Sequence, residues 1–84
     1  MRVLTTYAIV VNGVVKVQPR DSRVRELVVM NNSSGVIYLG AKESVSESDG
    51  FPIFPNDIIS FHCNYDFYFY LYGSSQEVRI LEVY

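Results

Sequence analysis

The chain has 84 residues, 49% of them hydrophobic and 14% aromatic, with only 19% charged and a formal net charge of −2. A chain of this length is one domain, and its apolar content sets it apart from disordered sequences. The weak negative balance excludes the basic field that nucleic-acid binding relies on, and no apolar run approaches a spanning helix, so neither nucleic acid nor membrane is an expected partner.

A chain this short buries only about 60–65% of the surface its unfolded form exposes. Oligomerisation is then an expected supplement to stability. The high apolar content also suggests that some apolar surface meets a partner. Cys63 is the only cysteine, so no intramolecular disulfide or Cys-x-x-Cys metal site can form. Either the compartment is reducing or the thiol is buried as a small hydrophobe. Met1-Arg2-Val3-Leu4-Thr5-Thr6 lacks the apolar core and small-residue cleavage site of a secretory signal, and none is expected.

Leu4 to Val11 is rich in β-branched residues, Asn12-Gly13 follows, and Val14 to Val17 resumes the pattern. Asn-Gly between two such runs predicts a hairpin, because both central residues of a type I′ turn need positive φ. Pro19 to Ser22 reads as a turn, and Arg23 to Met30 as the next strand. From Leu27 to Met30 that strand is continuously apolar, which predicts cover on both faces. Asn31 to Gly35 supplies turn residues, so Leu27–Gly40 reads as a second hairpin, with Val36–Leu39 as its returning strand.

Ala41 to Gly50 is a polar excursion with a short strand expected at Val45. Phe51 to Phe54 contains a proline and is therefore an edge strand or extended segment. Pro55-Asn56-Asp57 turns the chain into Ile58–Cys63, where Ile59, Phe61 and Cys63 share one face and Ile58, Ser60 and His62 the other. After a turn at Asn64–Asp66, Phe67–Tyr72 divides into Phe67, Phe69 and Leu71 for the core and Tyr68, Tyr70 and Tyr72 for a face both apolar and wet. Gly73-Ser74-Ser75 reads as a turn, and Gln76–Val83 closes the chain, with Val78 and Ile80 on one face and Arg79, Leu81 and Val83 on the other. No segment sustains a 3.6-residue apolar period. The pattern predicts an all-β fold: a small antiparallel β-sandwich, jelly-roll-like or Ig-like, of seven to eight short strands.

The inventory for chemistry is thin. His62 is the only histidine, and as neighbours on a strand His62 and Cys63 point to opposite faces. No nucleophile–base–acid set can be assembled, so no enzyme activity is expected. One His and one Cys fall short of a zinc site. Glu43, Glu47 and Asp49 match no calcium loop and read as a solvated loop. No metal or cofactor is expected. Arg20, Arg23 and Arg25 around Asp21 read as solvated side chains or as an ion-pairing patch at an interface. The tyrosine row has three readings: an outer face partly covered by neighbouring strands, a protein contact, or a stacking platform for bases or sugars. The charge balance weighs against bases.

Asn31-Asn32-Ser33-Ser34-Gly35-Val36-Ile37-Tyr38-Leu39-Gly40, Gly50-Phe51-Pro52-Ile53-Phe54-Pro55-Asn56-Asp57 and Val78-Arg79-Ile80-Leu81-Glu82 together resemble small structural proteins of tailed bacteriophage particles. In those proteins an Asn/Ser turn precedes a Val-Tyr-Leu-Gly strand. A Gly-aromatic-Pro-Leu/Ile-x-Pro-Gly-Glu segment follows, and an alternating apolar strand ends the chain. The resemblance spans residues 24–82; Asn56 stands in place of Gly and Asp57 in place of Glu, and both suit a turn.

The resemblance implies a non-enzymatic virion protein, assembled in the host bacterial cytoplasm. A capsid decoration (cement) protein binding the major capsid protein comes first; a tail, head-tail connector or fibre-base component is the alternative. Expected partners are other virion proteins and further copies of the chain, as a trimer or larger. Tyr68, Tyr70 and Tyr72, with Phe51 and Phe54, are the contact candidates, while Pro52 and Pro55 would block pairing at one sheet edge and leave the other free. A carbohydrate- or receptor-binding β-sandwich module, stacking the tyrosines on sugar rings, is the reading from another class.

Overall fold

The longest strand of the chain lies at the centre of its sheet. The computed structural model describes residues 3–84 and contains six strands: β1 (Leu4–Val17), β2 (Glu26–Asn31), β3 (Ile37–Gly40), β4 (Phe51–Ile53), β5 (Ile58–His62) and β6 (Phe69–Val83). Met1 and Arg2, where the leader reading begins, lie outside the described residues. All six strands form one antiparallel, curled sheet, and no helix occurs among the described residues. β1 runs along one side of β6, from Leu4↔Val83 to Val17↔Phe69. The other side is shared end to end: β2 pairs with its last part, from Glu26↔Val83 to Asn31↔Val78, and β3 with its first, from Tyr38↔Tyr72 to Gly40↔Tyr70. β5 continues the sheet outward from β2, and β4 from β3.

The expected hairpin at Asn12-Gly13 is absent, and so is the expected turn at Gly73–Ser75. Both segments lie inside long strands and face each other as one irregularity, where the register steps from Val11↔Gln76 to Gly13↔Gly73. Asn12 thus stands opposite Ser74 and Ser75, a β-bulge. Gly13 at φ 80° and Ser75 at φ 56° supply the left-handed residues. The positive φ that Asn-Gly announces is real, but it serves a kink instead of a reversal. These two corrections reduce the expected seven or eight strands to six.

The kink bends the ribbon. Straight, β6 would run roughly 46 Å at about 3.3 Å per residue, yet the longest dimension of the molecule is 40 Å. The segment 18–25 also leaves β1 at one end of β6 and enters β2 at the other, although it reaches at most about 32 Å. Bending brings the inner faces of the two arms together. Phe61 of β5 lies 5.1 Å, centroid to centroid, from Phe69 of β6, and Phe67 completes the cluster. Around it the core gathers Val11, Leu27, Val29, Ile37, Leu71, Val78 and Ile80.

The period-two expectations hold over most of the core. Phe69 and Leu71 are buried, whereas Tyr68 is exposed and Tyr70 and Tyr72 are half-buried. Ile59 and Phe61 turn inward, and Ile58, Ser60 and His62 outward. Cys63 is half-buried at the core margin, short of full burial.

Leu27–Gly40 is the second corrected hairpin, since β2 and β3 pair with β6 and not with each other. The buried Asn31 explains the difference. Its Nδ2 donates to the carbonyls of Gly35 and Ile53, each at 2.8 Å, and its Oδ1 accepts the Ser33 hydroxyl at 2.7 Å. The turn residues close on this side-chain amide, and the strand resumes in the same direction. At Gly35 an added Cβ would meet the Gln76 amide, the movable end of a flexible side chain, so the approach is close without demanding glycine. Val45 forms no strand either; it is buried in the turn region 41–50, outside the core cluster, where its side chain packs over Gly40 and Gly50. β2 begins at Glu26, later than the expected Arg23, because Asp21 accepts the Arg23 N–H and holds a turn there.

Gly13→Ala should cost about 1–2 kcal/mol, the usual penalty of a left-handed residue with a Cβ, although nothing lies within 4 Å of the added atom. Urea denaturation of the two proteins measures it. A neutral substitution would mean that the bulge does not hold this backbone.

Candidate functional site

The inner face of the sheet carries one buried charge. Glu82 follows Val78 and Ile80 by the period of the strand and is 1% exposed. Its carboxylate accepts the Thr5 hydroxyl at 3.1 Å and the backbone N–H of Arg20 at 2.9 Å, with the Arg20 Nε at 3.5 Å. The same guanidinium lies over the Tyr7 ring, 3.4 Å from its centroid. Burial raises the Tyr7 phenol above its ordinary pKa; Glu82 adds to the rise and Arg20 opposes it. Burial, followed by Glu82, likewise raises the Cys63 thiol, which is the opposite of an activated nucleophile. These contacts clasp segment 18–25 to the end of β6.

The basic cluster of that segment turns inward on the chain itself. Arg23 pairs with Asp21 at 2.8 Å, and Arg25 donates to the Ser22 carbonyl at 3.2 Å. The hydrogen bonds from Arg23 lower the Asp21 carboxyl to about 2. In the acidic loop, Asp49 accepts the Ser46 N–H and hydroxyl, and no group of three or more metal-ligating side chains converges among the described residues.

The outer face of β1, β6, β2 and β5 is different in kind. Cross-strand register places Thr6, Leu81, Val28 and Ser60 in one row and Ala8, Arg79, Met30 and Ile58 in the next. All of them but Ser60 line a shallow, largely apolar concavity of about 430 Å³. Arg79 is turned aside by Glu77 at 3.0 Å; the Asn32 amide, then Arg79, hold the Glu77 carboxyl below its ordinary range. Within β2 the inner residues Leu27 and Val29 are buried, and the outer residues Val28 and Met30 only half-buried. The expected cover on both faces is thus met on one side only by this chain. Neither Val28, Met30 nor Ile58 stood among the contact candidates, although the continuous run Leu27–Met30 was their signal.

The expected contact residues fall on two separate surfaces. Tyr70 and Tyr72 lie on the outer face of the other arm, in rows with Lys16 and Gly40, and with Val14 and Tyr38. The Tyr68 ring stands edge-on to Tyr70 at 6.0 Å, and Lys16 Nζ sits 4.5 Å above it. Tyr38 joins this group; its place in the alternation of Ile37-Tyr38-Leu39 was the available sign. Phe51 pairs with Leu39 and so belongs to the opposite face, at the β4 edge. Phe54 is exposed just beyond β4, its N–H bonded to the Asp57 carboxylate at 3.2 Å.

Comparison with family models, with curated proteins and with solved structures finds no match to this chain.

Glu82→Gln should destabilise the fold by about 1.5–3 kcal/mol, the range for hydrogen bonds to a charged group. It should also move the Tyr7 titration part of the way back to normal, because burial remains; ultraviolet absorbance against pH reads that shift. A separate expectation concerns Asp21, whose carboxyl should titrate near 2 and return towards 3.8 in Arg23→Ala. With the folded value depressed, the pair is favourable above 3.8 and is lost as the pH falls towards 2. Carboxyl-carbon NMR would refute the pairing if both proteins titrated together.

Proposed function

We propose that this chain is a non-enzymatic structural protein of a tailed-phage virion, foremost a capsid decoration protein seated on the major capsid protein. The observation that carries the reading is the outer face of β2, where Val28, Met30 and Ile58 line an apolar concavity that no part of the described chain covers. Such a face suits a protein partner, since its centre is desolvated at little polar cost. The resemblance of Asn31–Gly40, Gly50–Asp57 and Val78–Glu82 to virion proteins supplies the class of partner. A tail, connector or fibre-base position would use the same face.

We read the doubled ribbon as a small jelly-roll-like or Ig-like sandwich; counting each arm of β1 and β6 as its own strand raises six to eight. The tyrosine face of the other arm favours a second reading, the sugar-stacking module, because Tyr68 is exposed beside Tyr70 and Lys16.

Particles purified from the organism carrying the gene, sedimented through a gradient and probed for the chain, provide the test. The protein should travel with the particles at a fixed ratio, and Ile58→Lys should remain in the soluble fractions. Ile58 is 64% exposed, so that substitution should change stability by no more than about 0.5 kcal/mol. A wild-type chain that sediments apart from every particle would overturn the virion reading. Particle association lost in Tyr68→Ala but kept in Ile58→Lys would move the contact to the tyrosine face.

A further inference from the structure

The two edges of the sheet are built differently. On the β4–β5 side, Pro52 lies within β4, and Pro55 and Asp57 lie between the strands. Prolines and an acidic side chain guard an edge against a further strand. The other edge is β1, the second-longest strand, paired on one side only. From Leu4 to Val11 it contains no proline, no glycine and no Lys, Arg, Asp or Glu. An edge so long and so uncharged is a ready template for another strand.

The register identifies which backbone groups are free. Tyr84 donates its N–H to the Val3 carbonyl at 2.9 Å. In an antiparallel ladder, residues alternate between bonding one neighbour and the other. Thr5, Tyr7 and Ile9 therefore bond to β6, while Leu4, Thr6, Ala8 and Val10 direct N–H and C=O away from it. The far side of the sheet agrees: Cys63 donates to the Arg25 carbonyl and Asn32 to the Glu77 carbonyl, as the same alternation requires. The side chains of Leu4 and Val10 are 59% and 63% exposed on the outer face.

We propose that two copies of the chain join through this edge, Leu4–Val10 of one pairing antiparallel with Leu4–Val10 of the other about a two-fold axis. The segment is its own complement. With Tyr7 on the axis, Leu4 meets Val10 and Thr6 meets Ala8, and each such pair exchanges both hydrogen bonds. No like charges on the paired segments are opposed, because it carries none. Lys16, the one charged residue within β1, lies beyond the bulge at Asn12–Gly13 and outside the paired segment. Pairing also covers the exposed Leu4 and Val10 with each other and extends the outer rows of Thr6 and Ala8 from one copy into the next. β1's edge alone carries this inference, whatever the outer face of β2 meets.

Sedimentation equilibrium of the purified full chain over a dilution series tests it, with two variants at one position. Ala8→Pro removes an N–H that points away from β6, so the ladder within the chain survives while pairing across the edge does not. Ala8→Lys places charges beside the axis without touching the backbone. The wild type should show twice the 9.6 kDa of the chain, and circular dichroism should show both variants folded. In each variant the dissociation constant should rise at least tenfold. A wild type of single-chain mass throughout, an odd-numbered assembly, or a dimer equally tight in Ala8→Lys would overturn the proposal. So would a dimer lost only in Ile58→Lys, which would put the contact on the open face.

Discussion

The bend in the β1–β6 ribbon decides whether this chain has a core at all. β6 carries apolar inner residues in both arms, Phe69 and Leu71 in the first and Val78 and Ile80 in the second, and all four are buried. In a straight ribbon each set would lie on one open surface of a single sheet. Folding the ribbon lets the two sets cover each other, at roughly 1.5–3 kcal/mol for each large side chain withdrawn from water. Against this stands a left-handed Ser75, at roughly 1–3 kcal/mol, and a few ladder bonds lost at the bulge. The balance favours bending by a wide margin. Gly13 lowers the cost further, since one of the two left-handed positions carries no Cβ.

Once the ribbon is bent, its open end needs closing, and Glu82 does so at a position where an apolar residue would pack. A buried carboxylate adds little net stability, because desolvation offsets most of its attraction to a partner. What the carboxylate adds is position. It accepts the backbone N–H of Arg20 and the Thr5 hydroxyl, and so fixes segment 18–25 against both the first and the last strand. Arg20 then lies over the Tyr7 ring, with Pro19 and Val24 buried on either side in sequence. Asn31 plays the corresponding part between β2 and β3, where both amide hydrogens and the amide oxygen are satisfied. In both places a side chain takes over hydrogen bonds that the interrupted ladder cannot make.

Local patterns revealed the composition of the faces but not the partners of the strands. Alternation separated Phe69 and Leu71 from Tyr68, Tyr70 and Tyr72, and Ile59 and Phe61 from Ile58 and Ser60, because a strand's side chains obey period two wherever it pairs. Asn12-Gly13 was ambiguous for a physical reason: a type I′ turn and a bulge both demand positive φ, and only the distant Ser74-Ser75 determines which forms. The same holds for Asn31–Gly35, where the contact to Ile53 lies 22 residues away. The contact candidates suffered from the same gap. Aromatic content singled out Phe51 and Tyr70, yet their separation onto opposite faces depends on the β3–β4 register. The concavity lined by Val28, Met30 and Ile58 was visible only as a run too apolar for a strand covered on one side.

The edge of β1 and the outer face of β2 meet at Thr6 and Ala8, which belong to both. On the two proposals, the surfaces would therefore act together. Two chains joined along β1 would set their concavities side by side on one continuous sheet surface, facing the same way. A partner that repeats, as a shell of identical subunits does, could then be held at two points. Linking two weak contacts raises the effective affinity by orders of magnitude without a single new contact. A chain of 84 residues would gain this way what it cannot gain by size. Apolar surface stays uncovered within the monomer, and the proposed assembly would cover it.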